Sequence, residues 1–413
     1  MFLTKINIKN YRLVKDMEIN FTKGVNLIIG DNGLGKTSIL DAIAVGLGGY
    51  INGVKDVTPK NILEDDIRQE SLTMGDGSIT RKYNTPTSIG CTCDISGKIL
   101  KWERRRKEIN TSKTTTLGKD ITKYVEYVIN DDESVLPLLC YYSTDRLLND
   151  SKSKDTSKFK NRYDGYKNSM NSNFDFKSIE SWCLKMEMIA FQENKKIQEY
   201  EVFKKTLSEI MQKIERTDFL PKIYYDRKFE TIVYCKHNNI IPISYFSAGY
   251  KSIFKIAIDM TYRSIFLNPK ISNVNEVGGI VIIDEIDMHL HPKWQWIIIS
   301  MLEEVFPKIQ FIIATHSPIV ISSCKSGNLI MIDEEQEIKY LNNAYAYSVN
   351  DVLELRQGSY EIPEEVKKLY DLFEEFYNKA DYDNAKKIIR EMIEKYGKDN
   401  SEVKNALWEL GIE

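Results

Sequence analysis

At 413 residues, with 42% hydrophobic and 28% charged side chains, the chain has an ordinary globular composition and the length for two or three domains. A formal net charge of −3 excludes a polycation, so any contact with nucleic acid must come from a local basic patch. No apolar run is long enough to span a bilayer, and Met1 to Ile6 leads into an alternating strand rather than an apolar leader core, which predicts a cytoplasmic protein with no membrane partner.

Residues 1–29 predict three strands, Leu3 to Ile8, Val14 to Phe21 and Val25 to Ile29, read as a β-meander. It delivers Gly30-Asp31-Asn32-Gly33-Leu34-Gly35-Lys36-Thr37-Ser38, a fit to G-x-x-x-x-G-K-[ST] with a buried strand before it. A helix follows, because Ile39, Leu40, Ile43 and Leu47 recur at helical spacing. Glycines allow backbone angles at which successive N–H groups turn inward onto a polyphosphate, whereas a plain tight turn would need no lysine. Lys36 would supply charge to the β and γ phosphates of ATP and the Thr37 hydroxyl would face Mg²⁺, with Asn32, Gly33, Gly35 and Ser38 completing the nucleotide contacts.

Next comes a glycine-rich stretch, Gly46 to Gly53, then polar strands through Trp102, interrupted by Arg104-Arg105-Arg106-Lys107. A helix at Ile121 to Ile129 precedes a buried strand at Leu136 to Tyr142. From Leu147 to Asn173 the composition turns to Lys, Asn, Ser and Asp without hydrophobic period, which reads as an exposed loop. Helices at Ile179 to Gln192 and Tyr200 to Ile214 form an insertion, followed by a hairpin with strands at Lys222 to Tyr225 and Thr231 to Tyr234. The alternation resumes with a helix from Ser247 to Phe266, a strand at Gly279 to Ile283, a helix at Trp294 to Val305 and a strand at Gln310 to Ala314. This order predicts an α/β fold with a mixed, mostly parallel sheet, flanking helices and an N-terminal antiparallel β layer. Beyond Ile332 only helices are expected, at Glu364 to Tyr377, Asp383 to Tyr396 and Glu402 to Leu410. The expected divisions are an N-terminal lobe at 1–146, the polar loop and helical insertion at 147–220, a C-terminal lobe at 221–345 and a helical tail at 346–413.

Ile280-Val281-Ile282-Ile283-Asp284-Glu285 places two carboxylates at the carboxyl edge of a buried strand, the edge that faces the phosphate loop in α/β sheets. Asp284 would hold Mg²⁺ and Glu285 would orient or deprotonate the attacking water. Ser247 and Gly249 open a helix whose N-terminus is a second anion site. One chain cannot easily aim both this site and its own loop at one γ phosphate, which suggests a head-to-tail dimer; the alternative is a simple N-cap. His316 ends a buried strand and can hydrogen-bond the γ phosphate. His289-Leu290-His291 could instead suggest a metal site, but no third ligand stands at a suitable spacing. The six cysteines are scattered and read as reduced thiols.

The phosphate loop, Phe246-Ser247-Ala248-Gly249-Tyr250-Lys251-Ser252, the Asp284 strand through Pro292, and Ala314-Thr315-His316-Ser317-Pro318 together resemble the ABC-type ATPase heads of the RecF, Rad50, SMC and OLD group over most of residues 1–332. The resemblance makes Lys36 and Thr37 the Walker A pair, Asp284 and Glu285 the Walker B pair, Ser247 and Gly249 the signature, Asp287 the D-loop residue, His316 the switch histidine and Arg12 a basic residue near nucleotide. The glutamine such heads place after a strand like Leu138 to Tyr142 is missing, and Ser143-Thr144-Asp145-Arg146 stands there. Within the group the chain is most similar to the PtuA-like ATPases of Septu and retron antiphage defence. That resemblance implies an HNH nuclease partner, a homodimer or higher homo-oligomer, and no nuclease centre in this chain. A RecF-like DNA-binding ATPase of genome maintenance is the alternative, for which Arg104 to Lys107 and the Lys152 to Lys167 loop would form a basic face to nucleic acid.

Overall fold

In the computed structural model, which describes residues 1–73, 79–111, 113–144, 161–171, 175–237, 239–357, 364–398 and 400–411, the chain opens with two alternating strands, β1 (Phe2–Tyr11) and β2 (Val14–Asn20). β3 (Val25–Ile29) leaves their layer, which corrects the expected meander. All five β3 residues are buried, and a strand covered on both faces belongs in a parallel sheet under helices.

α1 (Lys36–Ile51) follows the phosphate loop and runs through most of the glycine-rich stretch expected to come after it. Those glycines serve close packing: a β-carbon on Gly49 would lie 2.3 Å from the Trp102 ring, whose Nε1 donates to the Gly46 carbonyl at 2.7 Å. β4 (Gln69–Thr73) and β5 (Ile79–Tyr83) form a separate ribbon. β6 (Thr87–Ile95), β7 (Lys98–Arg106) and β8 (Thr115–Leu117) complete a five-stranded antiparallel layer in the order β2-β1-β6-β7-β8. The arginine run does not interrupt β7. Arg104 and Arg106 point inward, 0% and 5% exposed; Arg104 donates to the Lys60 carbonyl and Asn61, and Arg106 to the Ile62 and Ile109 carbonyls. Buried guanidinium groups persist where carbonyls satisfy their fork of donors.

After α2 (Lys119–Ile129), β9 (Leu138–Tyr142) enters the second sheet. Much of the polar stretch that follows lies outside the described residues. Its end does not read as an exposed loop: a 3₁₀ turn at Arg162–Tyr166 is fixed by the Tyr166 hydroxyl donating to the Pro137 carbonyl at 2.8 Å and by Arg162 donating to the Leu267 carbonyl at 2.8 Å. α3 (Phe176–Gln192) and α4 (Gln198–Glu215) meet through Trp182, edge-on to Phe203 at 5.3 Å. β10 (Lys222–Asp226), β11 (Thr231–Lys236) and β12 (Asn239–Pro242) make a three-stranded antiparallel sheet, one strand more than the expected hairpin.

α5 (Ala248–Leu267), β13 (Gly279–Ile283), α6 (Pro292–Val305), β14 (Ile309–Ala314), α7 (Pro318–Ser323), β15 (Asn328–Ile332) and β16 (Ile338–Leu341) complete the larger compact unit, residues 1–346. The second sheet has the order β16-β15-β3-β14-β13-β9, parallel from β15 to β9 with β16 antiparallel at the edge. β16 corrects the expectation of helices alone after Ile332; it is only four residues long, and a Lys339–Asp333 ion pair of 2.8 Å spans its turn. Gln310, fully buried in β14, joins the layers by accepting from Leu3 N at 2.8 Å and donating to the Leu3 carbonyl at 2.9 Å.

Residues 347–413 form a second compact unit. It comprises α8 (Val349–Gln357), unforeseen in the sequence, and α9 (Glu364–Asn378), α10 (Tyr382–Tyr396) and α11 (Ser401–Glu409), with Phe373, Ala385, Ile389 and Ala406 as a buried core.

Candidate nucleotide site at the carboxyl edge of the parallel sheet

The register of the second sheet decides which residues can meet. Ile283 pairs with Ile313 and Ala314 with Ile28, so the chain leaves β3, β13 and β14 at one edge, releasing the phosphate loop, Asp284 and Glu285, and Thr315 and His316 side by side. Gly33 (φ 86°) and Gly35 (φ 95°) occupy the left-handed region, where a side chain would be strained, and Gly35 directly precedes α1.

Lys36, 6% exposed, donates to the Gly30 and Asp31 carbonyls, each at 2.8 Å. Burial lowers its affinity for a proton, against the opposing fields of Asp284, Asp31, Glu285 and Asp287. The Thr37 hydroxyl donates to Asp284 Oδ2 at 2.8 Å, and Asp284 is 1% exposed. Asp284 N in turn donates to the Tyr142 carbonyl at 2.8 Å, anchoring the carboxylate to β9. Glu285 is held at φ 45°, a strained setting for a non-glycine residue that redirects the chain after β13. His316 is half-buried; burial and Lys36 push its proton affinity below the ordinary value, against Asp287 and Glu285, which favours the neutral imidazole. Asp287 accepts from the Thr315 hydroxyl at 2.5 Å, tying the turn after β13 to that after β14.

Arg12 sits at φ 48° in the β1–β2 turn, which borders the loop: a β-carbon on Gly35 would lie 3.9 Å from Leu13. Its guanidinium contacts Asp41 of α1 at 2.5 Å and Asp66 at 2.8 Å. Asn32 and Gly33 lie exposed at the loop tip and Ser38 is buried beneath it. Ser247 caps α5, its hydroxyl accepting from Tyr250 N at 3.5 Å, and Gly249 is pressed on the His289 turn. Among the described residues no hydrogen bond or ion pair joins Ser247 or Gly249 to the phosphate loop of the same chain. His291 caps α6 through Nδ1, which accepts from Lys293 N at 3.2 Å, so this histidine has a structural task. Of the segment that replaces the missing glutamine, Asp145 and Arg146 lie outside the described residues. All six cysteines are free thiols.

Sequence reasoning missed a buried group beside this edge. The Tyr142 hydroxyl donates to Asp259 of α5 at 2.8 Å, and Asp259 also receives Arg263 Nε at 2.8 Å. The signal was available: Asp259 and Arg263 are opposite charges spaced i, i+4 in the largely apolar second half of the helix.

A phosphate loop entering a helix, carboxylates on the neighbouring strand but one, and a histidine on the strand between define an ATPase head of ABC type, with a mixed sheet, an antiparallel β layer and a helical insertion. The chain belongs to the AAA domain family: a family model of that description matches residues 5–215, and a second AAA domain model matches residues 146–322. It is similar to the Retron Vc95 probable ATPase of Vibrio cholerae serotype O1 biovar El Tor, 27% identical over 86% of this chain and 79% of that protein. Similarity to the Septu protein PtuA of Bacillus thuringiensis is 25% identity over 94% of this chain and 92% of that one. Among solved structures, an SMC head bound to the C-winged helix domain of ScpA shares the fold with a TM-score of 0.53, at 16% identity over 83% of this chain and 98% of that chain. Among the described residues no helix is long and apolar enough to cross a membrane.

Proposed function

We propose that the chain binds ATP with Mg²⁺ at the carboxyl edge of its parallel sheet, hydrolyses it across a dimer of heads, and through that cycle regulates an HNH-type nuclease subunit in bacterial antiphage defence. The observation that carries the hydrolytic part is the Thr37–Asp284 hydrogen bond of 2.8 Å with Glu285 and His316 beside it. Two hard oxygen donors already in contact fit a magnesium ion held through them and its waters. Held by Thr37 and Asp284, that ion would offset the negative charge of the phosphates.

The remaining work belongs to the side chains. Lys36 exchanges the Gly30 and Asp31 carbonyls for phosphate oxygens, a stronger charge-assisted partner. Backbone N–H groups of the loop and the start of α1 face the polyphosphate, and Asn32, Gly33, Gly35 and Ser38 shape that cradle. Glu285 orients or deprotonates the water; His316, neutral near pH 7, hydrogen-bonds the γ phosphate; Asp287 holds the turn between them. Arg12, fixed by Asp41 and Asp66, adds positive potential at the loop. Ser247 and Gly249 of one copy close on nucleotide held by the other, a reading supported by the lack, among the described residues, of a hydrogen bond or ion pair between the α5 start and its own loop. In this reading the two lobes around the insertion form the head, and residues 346–413 are an appended helical tail.

The defence setting is supported by relatives named for retrons and Septu, and the nuclease partner by the resemblance to PtuA-like ATPases. Burial of Arg104 and Arg106 weakens the RecF-like alternative, because those side chains are spent inside the fold; most of the Lys152 to Lys167 loop lies outside the described residues. The test is to co-express the chain with the HNH reading frame adjacent to its gene, where one exists, and to measure complex formation, ATP turnover and nuclease activity with wild type and Glu285→Gln. A stable complex whose nuclease output changes with the variant supports the reading. Turnover in the isolated chain with no partner retained, and nuclease output indifferent to the variant, overturns the regulatory part.

A further inference from the structure

An open cleft of about 890 Å³ lies outside the nucleotide site, between the end of α4, β11, the first turn of α5 and the start of α6. Its walls combine flat rings with cations. Trp296 is 43% exposed, and Trp294 lies edge-on to Tyr250 at 4.2 Å, presenting a fixed aromatic corner. The one carboxylate, Glu215, is consumed within the wall, accepting from Lys236 Nζ and from the Tyr234 hydroxyl, both at 2.6 Å. Arg216 and Lys293 are exposed at the rim, and neither forms an ion pair among the described residues. Rings that a base can stack on, beside cations with no carboxylate to satisfy them, are the pairing that recognises a nucleobase with its phosphate.

We infer that this cleft is a binding site for a base-plus-phosphate unit, stacked on Trp296 with its phosphate on Arg216 and Lys293, distinct from the ATP site. The unit can come from a single-stranded nucleic acid or from a free nucleotide. A protein partner is less suited, because the cleft's two open cations would need acidic residues placed to meet them. Trp294 also lies beneath the α5 start, where a β-carbon on Gly249 would stand 2.9 Å from its ring. An occupant of the cleft therefore touches the packing of the Ser247–Gly249 turn, although its binding does not depend on any role of that turn in hydrolysis.

The experiment uses the full chain and fluorescein-labelled dT12 and U12, read by anisotropy with and without saturating Mg-ATP, alongside a fluorescent adenine nucleotide competed by ATP in the Lys36→Ala background. Trp296→Ala is chosen because that ring is exposed and the fold should survive, which circular dichroism and melting check. The expected result is oligonucleotide binding that ATP does not displace, weakened about tenfold or more by Trp296→Ala. Each of Arg216→Ala and Lys293→Ala should lower the salt slope of log K by about 0.7. Nucleotide binding that persists in Lys36→Ala and is lost with Trp296→Ala, without oligonucleotide binding, assigns the free nucleotide as the source. Oligonucleotide binding displaced by ATP, nucleotide binding lost in Lys36→Ala, binding unaffected by Trp296→Ala, or no binding of either probe overturns the proposal. So does loss of self-association in Trp296→Ala by sedimentation without any probe bound, which would make the cleft a contact between copies.

Discussion

Thr37 Oγ1 and Asp284 Oδ2 are joined by a 2.8 Å hydrogen bond across 247 residues of chain, uniting the first turn of α1 with the end of β13. The parallel register allows it, because both groups leave the sheet at the same edge with β14 between their strands. Everything proposed for hydrolysis is built around that contact.

Lys36→Ala tests the loop beside it. The variant removes the side-chain cation and leaves the backbone cradle, so ATP affinity should fall by about 10- to 100-fold, the range for hydrogen bonds to a charged group. Calorimetric titration gives the affinity and a melting curve controls for folding. Unchanged affinity in a folded variant would remove Lys36 from the site.

Glu285→Gln should separate binding from turnover. The amide keeps the shape at φ 45° but cannot accept a proton, so turnover should fall about 10²-fold or more with ATP affinity nearly unchanged. Light scattering with ATP should reveal a longer-lived dimer, and a mass indifferent to nucleotide counts against closure between heads.

The pH dependence of stability should carry a contribution from His316. Its folded proton affinity lies below the ordinary value of 6.5, mainly through burial, so in that window the unfolded chain binds more protons than the folded one. The contribution is fully present above about 6.5 and is lost as pH falls through that value toward the folded pKa. Between pH 7.5 and 5.5 the melting temperature of nucleotide-free wild type should therefore fall more steeply than that of His316→Gln. Parallel curves would mean that His316 titrates as it does in water.

The nucleotide edge was legible because its signals are local: a glycine loop between strand and helix, four apolar residues ending in two carboxylates, a histidine after a third strand. What escaped depends on partners distant in sequence. Nothing near Val25 says that β3 abandons β1 and β2 for β14 and β15; that follows from burial on both faces. Gly46 to Gly53 read as a stretch after the helix because the side chains that need the missing β-carbons, Cys91 against Gly46 and Trp102 against Gly49, lie far along the chain. Arg104 and Arg106 read as surface charge because their acceptors are backbone carbonyls, and every sequence has those. β16 is too short to show a period, and only its pairing with β15 defines it.

Gly249→Ala probes the start of α5 from inside its own chain. The added methyl would lie 2.5 Å from the His289 carbonyl oxygen and 2.9 Å from Trp294, so the helix end must move away from the turn after β13. Overpacking of this kind costs about 1–3 kcal/mol, visible in denaturant melts. Turnover should fall further than ATP affinity, because among the described residues no hydrogen bond or ion pair joins the α5 start to the home phosphate loop. Equal losses in both would mean that the methyl disturbs the whole edge.

Ser247→Arg asks whether two chains share each nucleotide. Ser247 is exposed and its hydroxyl makes only a long capping bond of 3.5 Å, so the substitution should leave the fold and ATP binding to the home loop nearly intact. If the α5 start faces the partner's nucleotide, the new bulk and charge block closure, and each site holds ATP without hydrolysing it. Mixing with Lys36→Ala chains sharpens the test. A mixed dimer contains one site with both defects and one with neither, the latter formed by the loop of the Ser247→Arg chain and the intact α5 start of its partner. Activity should reappear from two inactive proteins, at up to roughly a quarter of wild type per chain when random exchange makes half the dimers mixed and each has one working site. Silence in the mixture, with subunit exchange verified by a labelled pair, would mean that Ser247 serves its own chain as a helix cap and nothing more.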